Sequence, residues 1–228
     1  MTLSNTAIAT PDDRPAALVT GKGARTRERI REAALDLFSR LGFERVTMGE
    51  IARVAEVSQP TLHYHFADKD DLWRAAMHLL RQSVEDEERL IDAALDAAPV
   101  VQLKIAMRHF LRLAWRCPAL GRIVSLEGMA GGERLEWLVA NIIGRRNRRL
   151  VALAQAAIDA GQLKPFPPEQ IVILLQTGAV GATNLAPLMR ANFGYDPDTE
   201  AARRRYEDLI IETLTAGLEI RGAKEEDR

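Results

Sequence analysis

Apolar residues recur at three- and four-residue spacing over most of this chain, which is the period of an amphipathic α-helix. The first clear run contains Ile30, Ala33, Ala34, Leu37, Phe38 and Leu41. Gly42 follows it and favours a helix end, so the pattern predicts a first helix from Thr26 to Leu41. Residues 1–24 combine Pro, Gly and small polar residues without an apolar period, which predicts a flexible tail.

Helix-capping residues predict three further helices directly afterwards. Thr47 and Glu50 have the spacing of a capping box at the start of a short helix. Ser58 is a favourable N-cap for the next helix, and Pro60 is tolerated in its first turn because the missing N–H would be unpaired there. Asp68 begins a fourth and much longer helix, which we expect to reach about residue 94.

The helical period continues almost to the carboxyl end of the chain. It is interrupted at residues that end or begin helices, namely Pro99, Pro118, Gly131, Gly132, Gly161–Pro168 and Gly194–Pro197. The run "IVILL" has the composition of a buried strand, but its Ala- and Gly-rich continuation makes it too long for one. The sequence predicts an all-α fold of about nine or ten helices.

The segment "VSQPTLHYHFADKDDL" concentrates histidines and aromatic residues, so a metal or catalytic site is the first possibility to test. On a helix, His63 and His65 point about 200° apart and cannot share one ion. His78 and His109 have no ligand spacing to either of them. Because the chain also has no nucleophile elbow or phosphate-binding loop, we expect no enzyme activity, no metal and no cofactor.

A helix-turn-helix explains the same segment better. The helix Thr47–Ala55 would support a second helix, Gln59–Phe66, across the tight turn "AEVS". Leu62 and Phe66 lie four residues apart and would anchor the second helix inward. Its remaining residues would face a DNA groove, where Gln pairs with adenine and Pro and Thr contact thymine methyl groups.

The residues "RERIREAALDLFSRLGFERVTMGEIARVAEVSQPTLHYHFADKDDL" resemble the DNA-binding domain of the TetR family of transcriptional regulators. Within them, "QPTLHYHF" resembles the recognition helix of the tetracycline repressor. The resemblance implies base contacts from Gln59, Pro60 and Thr61, and contacts to phosphates or the groove edge from His63, Tyr64, His65 and Lys69. The chain departs from the family at Glu56, where glycine is usual, and at His63, where tyrosine is usual.

Two basic runs have different interpretations. The run "KGARTRERIR" is either a solvated helix end or an arm that binds phosphates or the adjacent minor groove. We add its residues Arg25 and Arg27 to the expected DNA contacts. Thr47, at the start of the supporting helix, is a further expected contact. The second run, "GRRNRRL" at Gly144–Leu150, lies between apolar segments, and we interpret it as a solvated helix face.

The resemblance divides the chain into a helix-turn-helix domain at residues 25–70 and an effector-binding and dimerisation domain at residues 71–222. Large apolar residues at helical spacing belong to a core more often than to a pocket. Polar residues in apolar helices favour a pocket, because a ligand can be their partner. The pocket candidates are Met107, Phe110, Trp115, Glu127, Met129, Trp137, Asn141, Gln176 and Asn184.

We predict a homodimer that binds a palindromic operator, with the interface formed by two late helices, Pro168–Ala186 and Thr199–Leu218. The first is apolar nearly all round, as expected for a helix buried by its own core and by a partner. The second carries a stripe at three- and four-residue spacing, made of Tyr206, Leu209, Ile210, Thr213, Leu214 and Gly217. Such a pair fits half of a four-helix interface.

The composition limits which DNA-binding surface, disulfides and location can be expected. The 228 residues carry a formal net charge of −1, so a DNA-binding surface must come from local clustering of Lys and Arg. The single cysteine excludes an internal disulfide, and we expect no membrane span and a cytoplasmic location.

Three classes of function follow from the sequence. The first is a ligand-responsive DNA-binding repressor released from its operator by a small, largely apolar effector. The alternative is a DNA-binding organiser or regulator without a small-molecule effector, controlled by a protein partner. The third, an all-α enzyme, would need a convergent set of titratable groups that the sequence does not offer.

Overall fold

The predicted all-α fold is confirmed. The structure, a computed structural model, describes residues 21–91 and 97–219, and over these residues the chain forms ten helices and no strand. The first six are α1 Lys22–Leu41, α2 Met48–Val54, α3 Gln59–His65, α4 Lys69–Ile91, α5 Pro99–Arg116 and α6 Pro118–Ala130.

The carboxyl-terminal helices include one with an irregular turn. Helix α7 consists of Glu133–Leu138, a π-helical turn at Val139–Ile143 and Gly144–Asp159, which follow one another without a break. The last three helices are α8 Pro168–Asn184, α9 Ala186–Phe193 and α10 Glu200–Leu218.

The predicted capping interactions are present at the starts of the helices. The Glu50 backbone N–H donates to Thr47 Oγ1 at 3.2 Å, and the Glu50 side chain accepts from the Thr47 backbone N–H at 2.9 Å. Ser58 accepts from the Thr61 N–H at 3.2 Å, and Asp68 accepts from the Asp71 N–H at 2.7 Å. These bonds fix where α2, α3 and α4 begin.

Two predicted boundaries differ from the structure. Helix α1 begins at Lys22 and not at Thr26, so the end of the predicted tail is helical, while residues 1–20 lie outside the described residues. The helix predicted over Pro168–Ala186 ends at Asn184, and the short α9 begins at Ala186 with Pro187 in its first turn. A proline has no N–H to continue the preceding helix, which explains the break.

The buried residues form two clusters. One joins α1–α4 to residues of α5, α6 and α7, and it contains Phe38, Leu62, Phe66 and Trp73 together with Leu113. The other lies among α5, α7, α8 and α10. The first cluster extends on both sides of the predicted domain boundary after residue 70, so the amino-terminal helices share a core with the helices that follow them.

Within the described ranges, no single helix is both long and apolar enough to cross a membrane. Helices α8 and α9, which are bent by 64° relative to each other, meet the length and composition test only as a pair.

Candidate DNA-binding surface and apolar cavity

Helices α2 and α3 form the predicted helix-turn-helix. The Val57 N–H donates to the Ala52 carbonyl at 2.9 Å across the turn, and Glu56 has a left-handed backbone with φ of 53°. A left-handed backbone favours glycine, because a residue with a Cβ is strained in this conformation. The backbone at Glu56 is therefore strained. Leu62 and Phe66 are buried, as predicted, and they fix α3 against the core.

The opposite face of α3 is open to solvent. Gln59, Pro60 and His63 are exposed, and Tyr64 has 86% of its surface accessible. A large aromatic side chain left this exposed beside polar groups is typical of an interaction surface and not of a core. Thr61 is half-buried, and its hydroxyl lies 2.7 Å from the Ser58 hydroxyl.

The side chain of Gln59 lies against the first turn of α2. A Cβ placed on Gly49 would come within 2.6 Å of Gln59 Nε2. The Gln59 amide therefore occupies space that a side chain at position 49 would fill. The supporting helix therefore positions the first residue of the recognition helix.

Three cationic side chains lie on α1 and α4, the helices that pack beside the helix-turn-helix. Arg25 is exposed on α1, the Arg27 guanidinium lies 4.6 Å from the centre of the Phe66 ring, and Lys69 Nζ lies 4.2 Å from the centre of the Phe43 ring. Such contacts hold a cation at an aromatic face while leaving its charge available.

Arg31 is engaged within the protein, and His65 is partly buried. Arg31 lies in the same run but donates to the Ala75 carbonyl at 2.9 Å and to Glu28 at 2.8 Å, so it holds α1 against α4. Desolvation, with a smaller contribution from the charge of Arg27, lowers the pKa of His65 below its ordinary value.

Arg134 connects this amino-terminal region to the helices behind it. Its guanidinium donates to Glu127 of α6 at 3.0 Å and to Glu44 at 3.1 Å, and it lies 4.0 Å from the centre of the Phe43 ring. Glu44 and Phe43 lie between α1 and α2. We call this group of contacts the Arg134 bridge.

A cavity of about 760 Å³ lies among α5, α6, α7 and α8. Most of its lining is apolar and includes Phe110, Leu113, Leu120, Val124, Ile143 and Val180. Its mouth reaches the surface, because Met129 and Ile173 line it and are 79% and 55% exposed. Both its volume and its lining are typical of a pocket for a small organic molecule.

The polar residues of the cavity with the longest side chains lie on α7 and α8. Arg146 is buried, and its guanidinium lies 4.5 Å from the centre of the Phe110 ring. Gln176 Nε2 donates to Asn147 Oδ1 at 3.2 Å. These three polar side chains are the part of the lining that can orient a ligand.

Three of the nine pocket candidates, Phe110, Met129 and Gln176, line this cavity. Met107 lies in the buried cluster of α5, α7, α8 and α10, and Trp115 packs edge-on against Tyr206.

The other four candidates also lie outside the lining. Glu127 is engaged with Arg134, and Trp137 packs against Trp73 and His78 with ring centres 5.5 and 5.4 Å away. Asn141 is exposed and donates to the Trp137 carbonyl, while the Asn184 side-chain oxygen is buried without a hydrogen bond.

Sequence reasoning missed the polar residues of α7. The prediction that "GRRNRRL" forms a solvated face holds for the exposed Arg145 and Arg148 but is wrong for Arg146, which is 7% exposed. The only available signal was the apolar residue Leu150 four positions later, which is also buried.

An exposed apolar face covers the carboxyl-terminal helices. Large apolar residues that are 42–71% exposed occur on and next to α8, α9 and α10, namely Ile173, Leu174, Leu185, Leu188, Phe193, Tyr195 and Leu209. Helices α8 and α10 pack closely within the subunit, where a Cβ on Gly178 would meet Ile210 Cδ1 at 2.9 Å. Several large apolar side chains exposed on neighbouring helices favour burial against another protein chain.

Comparison with known proteins agrees with this geometry. The sequence model of the tetR family of bacterial regulatory proteins matches residues 30–76. The chain is 28% identical over 180 residues to the HTH-type transcriptional regulator RutR of Escherichia coli (strain K12), covering 77% of this chain and 84% of RutR. It is 26% identical over 180 residues to the nucleoid occlusion factor SlmA of Vibrio campbellii (strain ATCC BAA-1116), covering 77% of this chain and 90% of SlmA.

The fold also matches solved structures. The ketosteroid transcriptional regulator KstR2 of Mycobacterium tuberculosis superposes with a TM-score of 0.67 at 16% sequence identity, covering 85% of this chain and 95% of KstR2. At this identity the likeness shows a shared fold.

Proposed function

This chain belongs to the TetR family of transcriptional regulators, and we propose that it represses transcription until a small, largely apolar effector occupies the α5–α8 cavity and releases the operator. DNA binding and transcriptional regulation are the common properties of the family. What we propose beyond these properties is that the protein is a repressor, that its effector is small and largely apolar, and that effector binding releases the operator.

One observation carries the proposal: the cavity and the recognition helix share a core. Leu113, Leu120 and Ile143 line the cavity and belong to the same buried cluster as Leu62 of α3 and Phe66, which follows α3 directly. Because protein interiors are close-packed, a ligand that moves these walls must move the residues packed against them. Occupancy of the cavity can thus alter the placement of α3.

For the DNA complex, we place α3 in the major groove with Gln59, Pro60 and Thr61 at base edges. Phosphate or groove-edge contacts would come from Arg25, Arg27, Thr47, His63, Tyr64, His65 and Lys69. The exposure of Tyr64 and the aromatic placement of Arg27 and Lys69 support this assignment.

A homodimer would present two recognition heads, each made of α1–α3. The exposed apolar face of α8, α9 and α10 supports an interface there, and a two-fold axis through it requires a palindromic operator. Half-sites one helical turn apart are spaced by about 34–36 Å, which sets the separation expected between the two α3 helices.

Two connections would transmit the response between cavity and head. Helix α4 begins directly after α3, and its Trp73 packs edge-on against Trp137 of α7. The Arg134 bridge joins α6, whose Leu120 and Val124 line the cavity, to the residues between α1 and α2. A ligand that prefers the arrangement with misplaced heads lowers operator affinity by the same factor by which DNA lowers ligand affinity.

The second candidate function is a DNA-binding organiser or regulator without a small-molecule effector. The relationship to SlmA, a nucleoid occlusion factor, favours it. The size and apolar lining of the cavity support the effector-controlled function instead, because a domain used only for association has no need of such a space.

The test combines operator selection with ligand titration. Duplexes selected from a random library should contain an inverted repeat, and compounds from a hydrophobic panel should weaken binding to that repeat. The substitution Ala114→Phe fills the cavity and should abolish the response, whereas Ala156→Phe on the exposed part of α7 should preserve it. Compounds that bind in the cavity without changing operator affinity would contradict the effector role.

A further inference from the structure

Resting on the proposed function, we infer that Gly49 of α2 is a specificity-determining residue that acts by positioning Gln59. The proposed DNA complex places the Gln59 amide at a base edge. A Cβ built on Gly49 would lie 2.6 Å from Gln59 Nε2 and 3.8 Å from its Cδ. Real Cβ atoms essentially never come within 3.0 Å of another heavy atom, so the observed position of this amide requires that residue 49 has no side chain.

The backbone on both sides of this contact is held by caps. In the first turn of α2, the Thr47 N–H donates to the Glu50 carboxylate at 2.9 Å, and the Glu50 N–H donates to Thr47 Oγ1 at 3.2 Å. In the first turn of α3, the Thr61 N–H donates to the Ser58 hydroxyl at 3.2 Å. Because these bonds fix both helix starts, an added Cβ displaces the flexible glutamine side chain between them and not the helices.

The Gln59 amide is available for a base. The residue is exposed, and no hydrogen bond joins its side chain to another described residue. An amide whose donor and acceptor are both free can pair with adenine through two hydrogen bonds, and this pairing needs one orientation of the amide. Packing against α2 favours such an orientation before DNA arrives, which lowers the entropic cost of the contact.

The backbone at Gly49 does not itself require glycine. The residue lies inside α2, outside the left-handed region of φ. Alanine is more favourable than glycine within a helix. After the two Gln59 atoms, the next nearest atom to an added Cβ is Thr47 Oγ1, at 4.0 Å. Replacement by alanine should therefore preserve the fold and act mainly on the Gln59 amide.

Binding-site selection with the 228-residue chain tests the inference. Duplexes selected from a random library by the unmodified chain define the preferred base at each position. Gln59→Ala should reduce the preference at one position of each half-site by about 5- to 150-fold, as expected for the loss of one base contact. Gly49→Ala should reduce the preference at that same position by at least about fivefold and leave the other positions unchanged.

The double variant of Gly49→Ala and Gln59→Ala separates positioning from a structural role. Without the amide, the added Cβ has nothing to displace, so the double variant should have the base preference and affinity of Gln59→Ala alone. Val54→Ala, an exposed change at the carboxyl end of α2, is the control and should keep the preference of the unmodified chain. A further loss in the double variant, equal to the loss that Gly49→Ala causes by itself, would overturn the inference.

Thermal unfolding tests whether the fold is preserved. Gly49→Ala should unfold at the same temperature as the unmodified chain or at a higher one, because alanine favours the helix. A lower unfolding temperature together with weaker binding to all sequences would assign the effect to damage in α2 and would overturn the positioning role.

The Gln59 variant separates this inference from the proposed function. Unchanged base preference in Gln59→Ala would refute the proposed reading face and the inference with it. Relaxed preference in Gln59→Ala together with unchanged preference in Gly49→Ala would refute the inference and keep the reading face.

Discussion

The recognition head and the cavity are built in opposite ways. The head, α1–α3, is made of short segments whose ends are fixed by neighbouring residues, such as the Thr47–Glu50 capping box and the Ser58 cap. The cavity is assembled from four helices, α5–α8, and its lining residues extend from Phe110 to Val180. The DNA-binding geometry thus depends on residues that are neighbours in the sequence, whereas the ligand site depends on how the helices pack.

The largest expected effect separates the buried anchor Phe66, which follows α3, from the exposed DNA-facing residue Tyr64 of α3. Phe66→Ala should lower the free energy of unfolding by about 3–5 kcal/mol, because Phe66 is 1% exposed in the shared core. Tyr64→Ala should change it by no more than about 0.5 kcal/mol, because Tyr64 is 86% exposed, and should instead weaken operator binding. Denaturant unfolding and gel-shift titration measure the two properties, and a large stability loss in the Tyr64 variant would refute the division.

Base and phosphate contacts should differ in their sequence dependence. Gln59→Ala should relax preference at one position of each half-site, at about 1–3 kcal/mol per contact. Lys69→Ala should weaken binding to all sequences alike and reduce the slope of log affinity against log salt by about one per contact. Binding-site selection with each variant checks this, and an unchanged preference for the Gln59 variant would show that the reading face is assigned wrongly.

The Arg134 bridge should carry part of the coupling between head and cavity. Arg134→Met should reduce the effect of a bound ligand on operator affinity by about 0.5–2 kcal/mol while leaving the cavity itself intact. Arg45→Met, at an exposed position close to Glu44 in sequence, is the control. Operator titrations with and without a compound that binds the cavity measure the coupling, and identical coupling in both variants would remove the bridge from the mechanism.

The smallest effect concerns pH. Desolvation is the main cause that lowers the pKa of both His65 and His78 from the ordinary value of 6.5, with added contributions from nearby arginines. In the folded protein these groups take up protons less readily than in the unfolded chain, so stability is full above pH 6.5 and falls as the pH decreases towards their folded pKa values.

Denaturant unfolding at a series of pH values tests this dependence. The combined His65→Gln and His78→Gln variant should show a shallower loss of stability on acidification than the unmodified chain. An equally steep loss would assign the dependence to other groups.

The same contrast explains how far the sequence could be interpreted. The caps, the glycine stop after α1 and the inward pair Leu62 and Phe66 follow from neighbours within one or two turns, so the head could be predicted in detail. The cavity could not, because whether a polar side chain faces it depends on how the helices pack against one another. Glu127 resembled a ligand anchor in an apolar helix, but its partner is Arg134.

At Arg146 the error is the opposite one, because a side chain interpreted as solvent-exposed is buried. It lies among exposed cations in "GRRNRRL", and the charges on both sides suggested a solvated face. The chain enters this segment through the π-helical turn at Val139–Ile143, which alters the register of the residues that follow. A regular helical period therefore gives little guidance about which arginine is buried.

Cys117 offers the most direct test of the central claim that occupancy of the cavity lowers operator affinity. It is the single cysteine of the chain and it lines the cavity, so N-benzylmaleimide can place an apolar group there without knowledge of the effector. Complete alkylation, verified by mass spectrometry, should weaken operator binding by about 5–150-fold, while Cys117→Ala should bind normally and ignore the reagent. Fully alkylated protein that binds its operator with unchanged affinity would contradict the claim.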